Sequence, residues 1–315
     1  MYPYNHKMGQ RIQTNAVGVA VDRAFLAHIH IPADKAPTAS NDGVLPATNL
    51  GSAKQEISTG ITNPAVPRNI RIKGNVSGIN GVVKITGTNF DGKEITENIT
   101  ANGTSAKDGN LAFKTVTQID LPIQNHTPAR QTETIEVTNE CTKTEEISVA
   151  VTATTLLGDD SGESVTVALS STEHNTATLV AEAVVDALNT NEVIGAVFEA
   201  SNAEGLITLA AKEPAANDAS LAIAFTVGTS GVTVGSSTDG TSGVPYDTIS
   251  VGWGDKFGLP YKLYAEELAI LKLFNKAVEQ TEGTITADAT YLEKNVYAPY
   301  AGADGSSDID LYILV

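Results

Sequence analysis

With 315 residues, 41% of them apolar, the chain is long enough for two hydrophobic cores, and no apolar run approaches the roughly 20 residues of a membrane-spanning helix. Its 37 acidic residues outnumber 20 basic ones, and a formal charge of −17 disfavours nucleic-acid backbones and anionic membrane surfaces as partners. Cys141 is the single cysteine, which excludes an intrachain disulfide. The start, MYPYNHKMGQ, lacks the apolar stretch of a secretory signal, so folding in a reducing cytoplasm is expected. The sequons at Asn75, Asn98 and Asn102 then mark only polar turn composition.

Residues 1–50 are irregular apart from one apolar stretch, Phe25 to Ile31, followed by Pro32, Pro37 and Pro46. They are expected to form an N-terminal arm that orders against a neighbouring surface. Phe25, Leu26, Ile29 and Ile31 are its candidate contacts with other subunits or a capsid. From Arg68 the pattern turns to strands: Val83 and Ile85 share one face, and Ile95 and Ile99 alternate with polar neighbours beyond Asp91-Gly92. Asp-Gly between alternating runs predicts a tight hairpin, because both turn residues take φ > 0. Asn102-Gly103 and Asp108-Gly109 are predicted as further turns before the strand-like run from Phe113 to Pro122.

Near residue 130 the character changes. Ile147, Val149, Val151 and Ala153 predict one strand, and Val165, Val167 and Leu169 the next. ATLVAEAVVDALN (177–189) predicts a helix capped by Asn175 or Thr176. Its apolar stripe would be Leu179, Val180, Ala183, Val184, Ala187 and Leu188. Strands are predicted at 193–200, 206–211 and 221–227, before a Gly/Ser/Thr-rich linker from Gly228 to Gly243. Pro245 to Pro260 suggests short strands and turns, 264–278 a second, shorter helix, and 309–315 a closing strand. The fold class expected is mainly β: a β-sandwich or barrel core from 51–131 plus 244–315, with a small α+β domain inserted at 132–243.

Several patterns carry a hint of chemistry. Gly87 to Lys93 fits most of a P-loop, but Glu94 stands where a hydroxyl should meet Mg²⁺, and the context is strand, turn, strand. Gly252, Gly254 and Gly258 have dinucleotide-loop flavour with the wrong spacing, and they predict a turn whose backbone passes close to a neighbouring segment. His28 and His30 would face the same way on a strand, but no third ligand lies near in sequence. Asp304, Asp308 and Asp310, and likewise Asp159, Asp160 and Glu163, read as solvated acidic turns that lack EF-hand spacing. Glu140, Glu145 and Glu146 around Cys141 oppose thiolate chemistry. No catalytic, cofactor-binding or metal-binding residue is assigned on these grounds, and no cofactor is expected.

Four strings, QEISTGITNPAVPRN (55–69), ITGTNFDGKEITE (85–97), AFKTV (112–116) and SVGWGDKFGLP (250–260), resemble tailed-bacteriophage virion proteins of the head decoration or auxiliary capsid type. In that group the last string follows soon after AFKTV; here the 132–243 stretch intervenes, which agrees with an insertion. The resemblance implies a non-enzymatic virion protein that cements the outer capsid surface. Its implied partners are the major capsid protein and further copies of itself, with a trimer favoured. It would act on the phage head after assembly in the host cytoplasm. A major tail tube protein and a receptor-binding module displayed on the virion are the alternatives.

Overall fold

The computed structural model describes residues 26–158, 162–264, 283–299 and 302–314, together with the short strands Ile12–Gln13 and Ala20–Val21 and the strands Ala269–Asn275 and Val278–Glu279. The fold is mainly β, with antiparallel sheets and one substantial helix. No described helix is long and apolar enough to cross a membrane. The chain divides into two compact units, 1–125 with 247–315, and 126–246.

In the first unit, two sheets close on one core as a sandwich. One sheet orders Gln55–Ile57, Thr115–Leu121, Val82–Thr88 and Glu94–Thr100. The other is built on Thr248–Gly258, which pairs with Arg68–Gly74, Val296–Ala298 and Leu45–Asn49. Strand alternation puts Val83, Ile85, Ile119 and Leu121 opposite Ile70, Ile72, Ile249 and Val251, all within 1% of full burial. A hairpin does join Val82–Thr88 to Glu94–Thr100 at Asp91-Gly92, but of the two turn residues only Gly92 takes a positive φ, +82°, and the connection spans residues 89–93 rather than the tight two-residue turn expected. Asn89 Oδ1 accepts the Asp91 and Lys93 N–H groups across the turn, a further reason it is no phosphate loop.

A second core in this unit gathers Ile31, Phe257, Leu259, Tyr297, Ile309, Leu311 and Ile313. Here Leu26–Ile31 pairs with Ile309–Leu314, and Leu45–Asn49 joins the sandwich, so residues 26–31 and 45–49 are strands of their own chain's sheets. Three local expectations give way. Asp108-Gly109 lies inside the strand Lys107–Phe113 rather than in a turn. The glycines at 252–258 belong to an eleven-residue strand. Within the helix expected at 264–278, Ala269–Asn275 is a strand paired with Ile309–Leu314. A short apolar run has no period of its own to choose helix over strand, and the open ladder of Ile309–Leu314 decides it.

The second unit sets one four-stranded and one three-stranded sheet around a core with the helix Ala177–Thr190. Thr176 Oγ1 accepts the Leu179 N–H at 3.2 Å and caps the helix. The buried stripe is Val180, Ala181, Val184 and Leu188; Leu179 is 36% exposed. At about 100° per residue Leu179 falls on the side of Val180 away from Ala181, so the stripe is displaced from the expected one. Residues 194–197 form a helical turn before the strand Phe198–Ala203, replacing the first half of the strand expected at 193–200. The 228–243 run is packed rather than a linker: Ser230 and Val232 are buried, Thr238–Asp239 pairs with Glu133–Thr134, and Val234 bridges Val137. A Cβ on Gly231 would stand 2.0 Å from Thr142 Oγ1, so small residues there serve close approach.

Asp218 ties this unit's loops together. Its carboxylate accepts the N–H groups of Thr155, Leu156 and Ser220 and the Ser220 hydroxyl, while its backbone exchanges two hydrogen bonds with the Gln131 amide. Burial opposes ionisation, but these donors outweigh it and hold the Asp218 carboxyl below its usual range. The folded state therefore binds the proton less readily than the unfolded chain. The stabilisation is present above the unfolded pKa of about 3.9 and is lost as pH falls through the folded value.

Two outcomes are expected. Leu188→Asp should cost about 3–5 kcal/mol and abolish the calorimetric transition of the 126–246 unit while leaving the other in place. Asp218→Asn should make that transition less sensitive to acid between pH 7 and pH 3 than it is in the parent chain.

Candidate functional site

Two polar constellations stand out, one buried and one exposed. The buried one forms where the central strand of the sandwich twice leaves regular pairing. Arg68–Gly74 and Thr248–Gly258 shift register between Trp253 and Phe257, and Arg68–Gly74 and Lys107–Phe113 shift between Asn69 and Arg71. A bulge strands backbone groups that a buried sheet has to satisfy some other way. Here side chains do so. Asn69, fully buried, donates from Nδ2 to Gly109 O at 3.2 Å on one side and accepts the Lys256 N–H through Oδ1 at 2.9 Å on the other. Arg68, 1% exposed, donates to Gly254 O at 2.8 Å, Pro37 O at 2.7 Å and Asp255 Oδ1 at 3.2 Å. Its guanidinium also lies 4.5 Å from the centre of the Phe257 ring. Burial lowers the Arg68 pKa to about 10, with Asp255 acting against the shift and Arg71 adding to it, so the side chain remains charged at neutral pH.

The glycines make room for this. A Cβ on Gly254 would stand 2.5 Å from Asn69, one on Gly252 would stand 2.0 Å from Ser40 O, and one on Gly258 would meet Ala112 at 2.6 Å. The close approach expected of these glycines is present, within a strand. Glu97 completes the cluster by accepting the Asn110 and Leu111 N–H groups. Burial raises its pKa against those hydrogen bonds and the charge of Lys256.

The exposed constellation lies on the outer face of the ladder between Leu26–Ile31 and Ile309–Leu314. The register sets His30 opposite Asp310 and His28 opposite Tyr312. Alternation turns Ala27 and Ile31 into the core and leaves Leu26, His28 and His30 exposed. Asp310 Oδ1 accepts from His28 Nε2 at 2.7 Å and from His30 Nδ1 at 3.0 Å. His28 stacks on Tyr312 at 4.4 Å with the rings 2° from parallel. Burial works against the Asp310 carboxylate, but the two histidine hydrogen bonds outweigh it and hold its pKa below the usual range. Of the candidate contacts on this strand, Ile31 is buried and Ile29 packs against the chain's own core, Leu26 is 60% exposed, and Phe25 lies outside the described residues.

No protein-family model, curated protein or solved structure matches the chain. Asp304, Asp308 and Asp310 do not act together: Asp304 accepts the Ser306 N–H, Asp308 the Ala33 N–H, and Asp310 the two histidines. Cys141 is buried and donates its thiol to Lys143 O, and Glu163 accepts from Asn191, while Asp159 and Asp160 lie outside the described residues. Asp310 was not legible as a partner of the histidines, being 282 positions from His28. The one available signal was the alternation of Asp310 and Tyr312 with Ile309, Leu311 and Ile313.

Asn69→Ala should destabilise the first unit by about 2–4 kcal/mol, because it orphans one buried carbonyl and one part-buried N–H. Arg68→Lys should also lower stability, since an ammonium cannot reproduce the planar fork that spans Gly254, Pro37 and Asp255. The denaturant midpoint of that unit's transition reads both.

Proposed function

We propose that the chain is a non-enzymatic structural protein of a tailed-phage virion, of the head decoration type, acting as a homo-oligomer on the outer surface of the capsid. The observation that carries this reading is where the four resembling strings lie. Arg68 and Asn69, which close the first string, bond to Gly254, Asp255 and Lys256 of the last. Gly87 of the second string fits against Phe113 and Thr115 of the third, and Thr88 shares a hydrogen bond with Thr115. The resemblance thus gathers on one packing unit, whose polar side chains bond to its own backbone and to one another. A chain selected for a stiff sheet rather than for a reactive cleft would carry its pattern there.

Assembly has support of its own. Leu26–Ile31 is an edge strand, paired only with Ile309–Leu314 among the described residues, and an edge of this kind can extend its ladder into a second chain. Leu26 stands exposed at its start. The acidic surface keeps free subunits soluble at the concentrations that particle assembly needs.

Light scattering of the purified chain should give the mass of a discrete oligomer, with a trimer expected. Gold-labelled antibody against the 126–246 unit should decorate the heads of tailed particles carrying the protein. Label along the tail would transfer the assignment to a tail tube protein, and particles without label would overturn the virion reading.

A further inference from the structure

We propose that His28, His30 and Asp310 form a transition-metal site on the outer face of the first unit, with Zn²⁺ the ion it fits best. Among the described residues this is the one group of three potential ligands whose donor atoms all lie within 4.8 Å of one another. It depends on pairing Leu26–Ile31 with Ile309–Leu314, strands from distant parts of the sequence, so neither segment holds it alone.

Tetrahedral zinc with ligands at roughly 2.0–2.1 Å sets donor atoms about 3.4 Å apart. The Asp310 oxygen already lies 2.7 and 3.0 Å from the two imidazole nitrogens. Small side-chain rotations therefore suffice to admit an ion between the three. Without metal, His28 Nε2–H and His30 Nδ1–H each point at the same carboxylate oxygen. Binding reverses this: each histidine takes the tautomer that presents a lone pair on that nitrogen, and its proton resides on the other. No proton is lost from a neutral imidazole, and the ion takes over the role of both donors.

Three features favour occupancy. The ligands are carried on paired strands, which hold donor atoms more firmly than a loop does. Tyr312 stacked on His28 restricts that ring, and the half-buried Asp310 supplies a negative charge that lowers the cost of placing a dication there. Two imidazoles with one carboxylate favour zinc and its transition-metal neighbours over Mg²⁺ or Ca²⁺, which prefer an all-oxygen shell. With the His28 and His30 side chains 46% and 45% exposed, at least one coordination position faces solvent. This is the open geometry that accepts water, or a donor from an abutting chain.

The test uses the full chain, stripped with chelator and titrated with ZnCl₂ by calorimetry in a non-coordinating buffer, with Co²⁺ as the spectroscopic probe. One Zn²⁺ should bind per chain, and Co²⁺ should give visible ligand-field bands that Zn²⁺ removes. His30→Ala and Asp310→Asn should each weaken zinc binding by about tenfold or more. The control His126→Ala/His174→Ala should bind as the parent does. Circular dichroism superimposable on the parent identifies variants that remain folded; His28→Gln, an exposed polar exchange, gives an independent ligand deletion. The proposal is overturned if zinc fails to bind at millimolar concentration, if the folded ligand variants bind as tightly as the parent, or if Mg²⁺ competes on equal terms.

Discussion

A guanidinium group with 1% of its residue exposed and an asparagine with none set the terms for the first unit. A sheet that bulges on both sides of one strand loses ladder hydrogen bonds at its centre, where water cannot replace them. Arg68 and Asn69 sit side by side on that strand and point their donors and acceptors into the two gaps. Because the bulges are closed, Thr248–Gly258 runs on for eleven residues and serves two cores, with Ile249 and Val251 in the sandwich and Phe257 in the second core. Remove the polar pair and the long strand has no reason to hold its course between them.

The two polar constellations illustrate opposite uses of the same chemistry. Around Arg68 and Asn69, and around Asp218 in the second unit, most of the donors and acceptors meet backbone partners, and the result is rigidity. At His28, His30 and Asp310 two imidazoles converge on one carboxylate oxygen at the surface, and the lone-pair capacity of both imidazoles is not used up. The first arrangement specifies a shape. The second offers a site.

What could be read from the residues follows the range over which each feature is determined. The hairpin at Asp91-Gly92 and the helix at 177–190 are local, set by turn chemistry and by spacing within a dozen residues, and both were legible. Even so, the helix stripe was displaced because Leu179 has the composition of a core residue without its angular position. The strand at 269–275 and the packed run at 228–243 were not legible, since a short apolar run takes its conformation from a partner and glycine marks close approach as readily as freedom. The bulges leave no signature in composition at all. The histidine pair was visible, but its carboxylate partner depended on the register of a ladder joining distant segments, which no nearby pattern encodes.

The chain leaves the first unit at Asn125 and re-enters it at Asp247, and these two residues are hydrogen-bonded, Asn125 N–H to Asp247 Oδ2 at 2.6 Å. Just inside, Ala129 and Val244 form a bridge that closes the second unit's own ends. In polymer terms the excursion starts and finishes at nearly one point. Once residues 126–246 have folded, the entropy of bringing Arg68–Gly74 and Thr248–Gly258 together falls from that of a loop spanning well over a hundred residues to that of a much shorter one. Closing the ends of the inserted segment on themselves thereby shortens the effective loop between the two halves of the host sheet. The ladder between Arg68–Gly74 and Thr248–Gly258, which spans that excursion, is the pairing that gains most from the shorter loop.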